Sequence, residues 1–168
     1  MIYFTADCHF WHENAIMHND RPFENAVVMN DSLIQNWNDV VSCEDEVYIL
    51  GDFTFKGITL ASEVFNKLNG TKHLIIGNHD RKPVYKLFET HQDYLELEYN
   101  NIYFILSHYP FLEWNGYFKG SIHLHGHCHN KKKYNIDNKL NGIRRYDVGA
   151  DANNYKPVSI EEIIKFYD

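Results

Sequence analysis

The run EVYILGDF, Glu46 to Phe53, puts apolar side chains on both faces of one short strand. A strand of that kind has to be covered on both faces, so its sheet must lie inside a layered fold. A second run, LIIGNHD from Leu74 to Asp80, takes three aliphatic residues into Gly77 and then sets an amide, an imidazole and a carboxylate side by side. A strand that stops at glycine can turn sharply and present the next side chains at a sheet edge, where ligands are commonly held. Read alone, the same residues are equally a polar turn after a core strand.

The flanking pattern extends the layered reading. IYFTAD (Ile2 to Asp7) is strand-like, and a loop then runs to Arg21, Pro22 and Phe23. Val27, Val28, Leu33, Ile34, Trp37, Val40 and Val41 recur at helical spacing and predict an amphipathic helix over 25–41. Leu60, Val64 and Leu68 mark a second helix, closed by Asn69 and Gly70, and HLIIGN is the next strand. PVYKLFET predicts a short helix. YLELEY and IYFILSH form a hairpin through Asn100 and Asn101, a pair that tolerates positive φ. SIHLHGH and RRYDVG are further strands, and SIEEIIKFYD is a helix with capping-box spacing between Ser159 and Glu162. Strands and helices alternate early and strands cluster late, which predicts a mixed α and β fold.

A length of 168 residues predicts one domain over 1–168. The chain has no apolar run of bilayer length, and its start lacks a basic, then apolar, secretory leader. Cys8, Cys43 and Cys128 make an odd count without disulfide-framework spacing and are read as free thiols of a reducing compartment. The expectation is a cytoplasmic protein with no membrane partner; oligomeric state is left open. A formal charge of −7 argues against a broad grip on nucleic-acid polymers and leaves local binding of anions open.

Eleven histidines are the unusual part of the composition. Many fall where predicted strands end. The first strand ends in Asp7 with His9 two residues on; the second ends in Gly51 and Asp52, the third in Gly77, Asn78, His79 and Asp80. The hairpin ends in Ser107 and His108, and the next strand in His127 and His129. Any one block is an ordinary turn or a satisfied polar group; five in order point to one chemistry. Residues i and i+2 of an extended chain share a side, so Asp7 and His9 can close on one ion. By the same alternation His127 and His129 can each serve one member of a pair of metals, with Cys128 turned away. A zinc site built on Cys8 and Cys128 fails on this parity, and CxxC pairs are absent. Carboxylate, imidazole and amide oxygen suit manganese, iron, zinc or nickel without choosing among them.

DCH, GD, GNHD, the histidine of SHYP and GHCH, in this order from Asp7 to His129, resemble the five signature blocks of the calcineurin-like metallophosphoesterase superfamily. HFWHEN, RPF and SIHLHGH look like a small bacterial and phage branch of it. The resemblance implies an α+β fold, a four-layer αββα sandwich of two mixed sheets flanked by helices. It implies two divalent metal ions, one held by Asp7, His9, Asp52 and His129 and the other by Asn78, His108 and His127, with Asp52 bridging. His79 would be the substrate-facing acid, oriented by Asp80. The implied activity is hydrolysis of a phosphodiester or a small phosphomonoester by a hydroxide bridging the two metals. A nuclease or nucleotide-processing enzyme of the same chemistry, or a catalytically silent scaffold, are the other readings. No inserted cap domain is visible, so substrates of larger relatives do not transfer.

Outside the blocks, Arg21, His12 and Asn14 follow the first ligand pair and are candidates for contact with the substrate phosphate. RPF is equally a loop anchored by Phe23. His123 and His125 share parity with His127 and are read chiefly as buried, hydrogen-bonded groups, and Lys131, Lys132 and Lys133 as a solvated turn. Tyr109, Phe111, Trp114, Tyr117 and Phe118 are expected to pack their loop down rather than stack a base; Asp151 is left without a role.

Overall fold

The computed structural model describes residues 1–168. In chain order the elements are β1 (Ile2–Thr5), α1 (Glu13–His18), α2 (Ala26–Asn38), β2 (Glu46–Ile49), α3 (Ile58–Phe65), β3 (Thr71–Ile75), α4 (Lys82–Tyr85) and β4 (Thr90–Gln92). They continue with β5 (Tyr94–Tyr99), β6 (Ile102–Ser107), β7 (Ile122–His125), α5 (Lys132–Leu140), β8 (Arg145–Asp147), β9 (Val158–Ser159) and α6 (Ile160–Tyr167). The strands form two mixed sheets in the orders β4-β3-β2-β1-β9 and β5-β6-β7-β8, flanked by helices in an α+β sandwich.

Alternation along the central strands divides the apolar residues between two cores. Val47, Ile49 and Leu74 pack with Met29, Leu33 and Trp37 of α2 and Ala61 and Val64 of α3. Phe4, Tyr48, Leu50 and Ile75 point the other way and meet Phe104, Leu106, Ile122 and Leu124 of the second sheet. This is the physical content of a strand apolar on both faces: one side closes on helices and the other on a sheet.

Direction matters most for function. Strands β1 to β4 run parallel to one another, as do β6 to β8, while β9 and β5 are antiparallel additions. A parallel bridge between Ala6 and Gly149 joins the two sheets just beyond β1 and β8. The carboxyl ends of five strands therefore open onto one rim.

Local signals explain several boundaries. Asn25 caps α2 by accepting from the Val28 amide, and Ser159 and Glu162 form a reciprocal capping box on α6. Asn100 and Asn101 both have positive φ, as the hairpin turn requires. The sequence reading missed α1, β4, β9 and α5. The last corrects the lysine run: Lys131 is the N-cap of α5, and Lys132 and Lys133 are in its first turn rather than in a turn between strands. Helix α5 is polar, and it buries Asn135 and Asn138 where the prediction looked for aliphatic residues. No helix is long and apolar enough to cross a membrane.

Candidate metal centre

At the shared rim the chain leaves its strands through strained turns. Asp7, His9, Asp52, His127 and His129 all have φ between 48° and 69°, a region non-glycine residues seldom occupy. Such outliers persist only where surrounding contacts impose them. Here the backbone is tied across strands: the Asp7 amide donates to Gly51 O at 3.0 Å and the His9 amide to Asp52 O at 2.9 Å. Two glycines allow the close approach. A Cβ at Gly51, itself at φ 89°, would lie 2.3 Å from His108 Nδ1, and one at Gly77 would lie 2.4 Å from Asp52 Oδ1.

The side chains meet in two groups. Asp7, His9 and His129 offer ligand atoms all within 4.8 Å of one another, and so do Asp7, Asp52 and His108. Asp52 Oδ2 stands between the groups, 3.5 Å from His9 Nε2 and 3.7 Å from His108 Nε2. His9 Nε2 and His129 Nε2 are 3.2 Å apart. At the more exposed side Asn78 Oδ1 lies 2.9 Å from His108 Nε2 and 3.0 Å from His127 Nδ1. Asp7, His9, Asp52, Asn78, His108, His127 and His129 are thus brought together. We call the Asp7, His9 and His129 end the inner position and the Asn78, His108 and His127 end the outer one.

The partners of the opposite ring nitrogens decide which lone pairs face inward. His108 Nδ1 donates to Leu50 O at 2.8 Å and His129 Nδ1 donates to Asp151 at 2.9 Å, which leaves each Nε2 an acceptor. Burial pushes His9 and His108 below the ordinary histidine value, so these imidazoles stay neutral. Burial, followed by the charges of Asp147 and Asp52, pushes Asp7 well above the usual carboxylate range. Asp7 Oδ2 accepts from the His127 amide at 2.8 Å, while Oδ1 is buried with no hydrogen-bond partner. An orphaned carboxylate oxygen facing neutral imidazole lone pairs fits a divalent cation. The thiols do not share in this, since Cys8 lies in the helix-side core and is pushed up to about 12 by burial.

His79 stands at the mouth, 38% exposed, with Nε2 4.0 Å from Asp52 Oδ2. Asp80 does not hold its ring. The Asp80 carboxylate accepts from the amides of Asp52 (2.9 Å), Phe53 (3.0 Å) and Gly77 (2.9 Å), which corrects its expected role. The sharp turn at Gly77 swings the side chain back beneath the rim, where it ties two ligand-bearing loops together. Burial raises this carboxyl to about 6.

Arg21 calls for a similar correction. It is buried at 4% exposure with its guanidinium under the rim, bonded to Asp151 and to the carbonyls of Asp7 and Cys8, out of reach of a substrate phosphate. His12 is at the rim, its Nδ1 3.3 Å from His9 Nδ1 and its ring stacked on Phe55 at 4.4 Å. Asn14 is exposed in α1 and lines, with His12, Trp11 and Phe55, a cavity of about 390 Å³. His123 and His125 are fully buried. His123 Nδ1 donates to Ile105 O at 2.9 Å and its Nε2 accepts from the Phe111 amide at 3.0 Å. Phe111 stacks on that ring at 4.9 Å, and Trp114 donates to Ser121 Oγ, so part of the aromatic loop packs down. Phe118 is 86% exposed.

Two carboxylates had no assigned part. Asp151 backs His129, and Asp147 accepts from the Gly149 amide and from Asn130 beside Asp7. Asp147 is the last residue of β8, a strand-end carboxylate of the kind that marked the other blocks.

No family model matches the chain. It is 36% identical over 170 residues to the uncharacterized protein MJ1445 of Methanocaldococcus jannaschii, covering 99% of this chain and 91% of that one. Identity to the gene 66 protein of Mycobacterium phage D29 is 30% over 184 residues, with 90% and 88% covered. The crystal structure of AQ665 from Aquifex aeolicus, a protein of unknown function, superposes with a TM-score of 0.80 at 30% identity over 98% of both chains. With identity running almost end to end and the fold shared, the chain belongs to the family of MJ1445, the phage D29 gene 66 protein and AQ665.

Proposed function

We propose that this protein is a dinuclear metal-dependent phosphoesterase that hydrolyses a phosphodiester or a small phosphomonoester. The observation that carries the reading is the buried Asp7 carboxylate, one oxygen unpartnered, within ligand distance of both histidine groups. Asp7, His9, Asp52 and His129 would hold one divalent cation, and Asn78, His108 and His127 the other, with Asp52 shared. Bound there, such cations supply the Lewis acidity that activates water near neutral pH and offsets charge on the phosphoryl oxygens.

The chain's own part is positional and protonic. Neutral His9 and His108 present lone pairs without first losing a proton, because burial already disfavours their charged forms. Asp80 keeps the Asp52 and Gly77 loops in register through three amides, so the shared carboxylate is held before substrate arrives. His79, exposed at the mouth, is the group placed to give a proton to the departing alkoxide oxygen. His12 and Asn14, beside the adjoining cavity, remain candidates for contact with the rest of the substrate.

The test is hydrolysis of bis-nitrophenyl phosphate and nitrophenyl phosphate by metal-stripped protein, with and without manganese, beside Asp52→Asn and His79→Ala. Metal-dependent turnover is expected, abolished by Asp52→Asn. His79→Ala should lose less, since nitrophenolate leaves with little need of a proton. Equal losses would remove the acid role from His79. No turnover with any divalent metal by folded protein would replace the enzyme by a silent scaffold.

A further inference from the structure

The inner and outer positions rest on different supports. Beneath the inner one, each of Arg21's three guanidinium nitrogens donates. Nη2 reaches Asp7 O at 2.6 Å and Nη1 reaches Cys8 O at 3.0 Å, the two carbonyls of the peptides that join Asp7 to His9. Nε and Nη2 also take both oxygens of Asp151, at 3.2 and 2.7 Å. Asp151 Oδ2 in turn accepts from His129 Nδ1 at 2.9 Å. One guanidinium thereby sets the backbone that carries two donors and, through one carboxylate, the tautomer and direction of the third.

We propose that Arg21 and Asp151 are positioning residues chiefly for the inner metal position. The outer position meets this support only at Asp7, whose Oδ2 accepts from the His127 amide and which also lies near Asp52 and His108. Its own donors are set otherwise, His108 by Leu50 O, with Asn78 and His127 meeting at the surface. Because the Arg21 and Asp151 side chains are fully buried, their pairing is unscreened and geometrically strict, and a buried ion pair adds little net stability. Its effect falls on geometry instead, since Asp7 and His9 sit in left-handed turns that need their carbonyls held. Lys131, 3.6 Å from Asp151 Oδ1, is exposed and lies at the edge of this network. The inference rests on the metal-centre reading above and adds that the two positions are separable.

The experiment is calorimetric titration of metal-stripped wild type, Arg21→Lys, Asp151→Asn and the double variant with manganese. It is read beside the paramagnetic resonance of the bound ions and thermal melting of the stripped proteins. Wild type should take up two equivalents with a spin-coupled signal. Arg21→Lys keeps the charge but loses the bidentate fork. It should weaken one equivalent roughly 10- to 100-fold, as loss of a partner behind a metal ligand usually does, and the other, which Arg21 reaches only through Asp7, far less. The coupled signal should give way to a mononuclear one. Asp151→Asn should weaken the same equivalent, and the double variant should do no more than the stronger single one. Equal weakening of both equivalents, or of neither, would overturn the proposal. If Arg21→Lys fails to fold, the near-isosteric Asp151→Asn decides by itself. Wild type binding a single equivalent would sink the dinuclear reading, with this inference then judged on whether that equivalent weakens; no uptake at all would sink both.

Discussion

The two sheets bury their outer faces by different physics. The five-stranded sheet meets α2 and α3 through aliphatic and aromatic side chains, with Trp37, Leu33 and Val64 against Val47, Ile49 and Leu74. The four-stranded sheet, with Tyr146 of β8 facing the core between the sheets, turns His123, His125, Arg145 and Asp147 outward, covered by α5 and the 109–121 loop. There the contacts are hydrogen bonds. Asn135 exchanges two with the Asp147 backbone, Asn138 donates to Arg145 O, and His123 joins Ile105 O to the Phe111 amide. An apolar face tolerates imperfect fit at moderate cost, whereas a buried polar face demands complete pairing. The polar layer stands behind Asp147, which neighbours Asp7. His108, His127 and His129 follow β6 and β7 of this sheet, while Asp7, His9, Asp52 and Asn78 follow strands of the five-stranded sheet, so the metal centre draws on both halves.

The largest expected effect lies on the apolar side. Trp37→Ala should destabilise by about 3–5 kcal/mol, as aromatic truncations in a core do, measured by urea denaturation. Metal uptake should survive below the new melting point, because Trp37 makes its side-chain bond to Asn69 O and none to a donor of the rim. Loss of both together would erase the distinction between the faces.

Next comes pH on the polar side. Burial lowers His123 from 6.5 to about 4, and the Phe111 amide needs an unprotonated Nε2. With the folded value below the unfolded one, the contribution is complete above about 6.5 and is lost as pH falls through about 4. The loss should be on the order of 3 kcal/mol in full, seen as a steeper acid decline in wild type than in His123→Gln. Parallel declines would mean that burial does not hold the ring neutral.

A smaller effect sharpens the contrast. Asn135→Ala strips the Asp147 amide of its partner, leaves the Asp147 carbonyl with Asn153 as its one side-chain partner, and should cost about 2 kcal/mol. Unlike Trp37→Ala it should also weaken manganese binding, because Asp147 shifts under Asp7. Denaturation paired with metal titration separates the two; undiminished metal affinity would detach the polar layer from the site.

The same contrast governs how far the molecule was legible in advance. Helices α2 and α6 announced themselves by spacing and caps, α3 by spacing alone, since it ends at Phe65 short of the expected Asn69 and Gly70, and the hairpin by Asn100 and Asn101. Helix α5 did not, because Asn135 and Asn138 are buried by hydrogen bonds that leave no hydrophobic period. Strands β4 and β9, of three and two residues, exist through pairing with neighbours and carry too little pattern to stand alone. The donor blocks were visible since each ends a strand. The partners behind them were not: Arg21 and Asp151 are 130 positions apart and meet only in the folded chain.

By itself the sequence determined most strands, most helices and the order in which carboxylate, amide and imidazole donors follow strand ends, because periodicity and turn chemistry are local. Only the tertiary structure decided where the ambiguous polar groups point. Arg21 turned inward to Asp151, Asp80 to three amides and His123 to Phe111, since most buried donors and acceptors are paired and those partners come mainly from other segments of the chain.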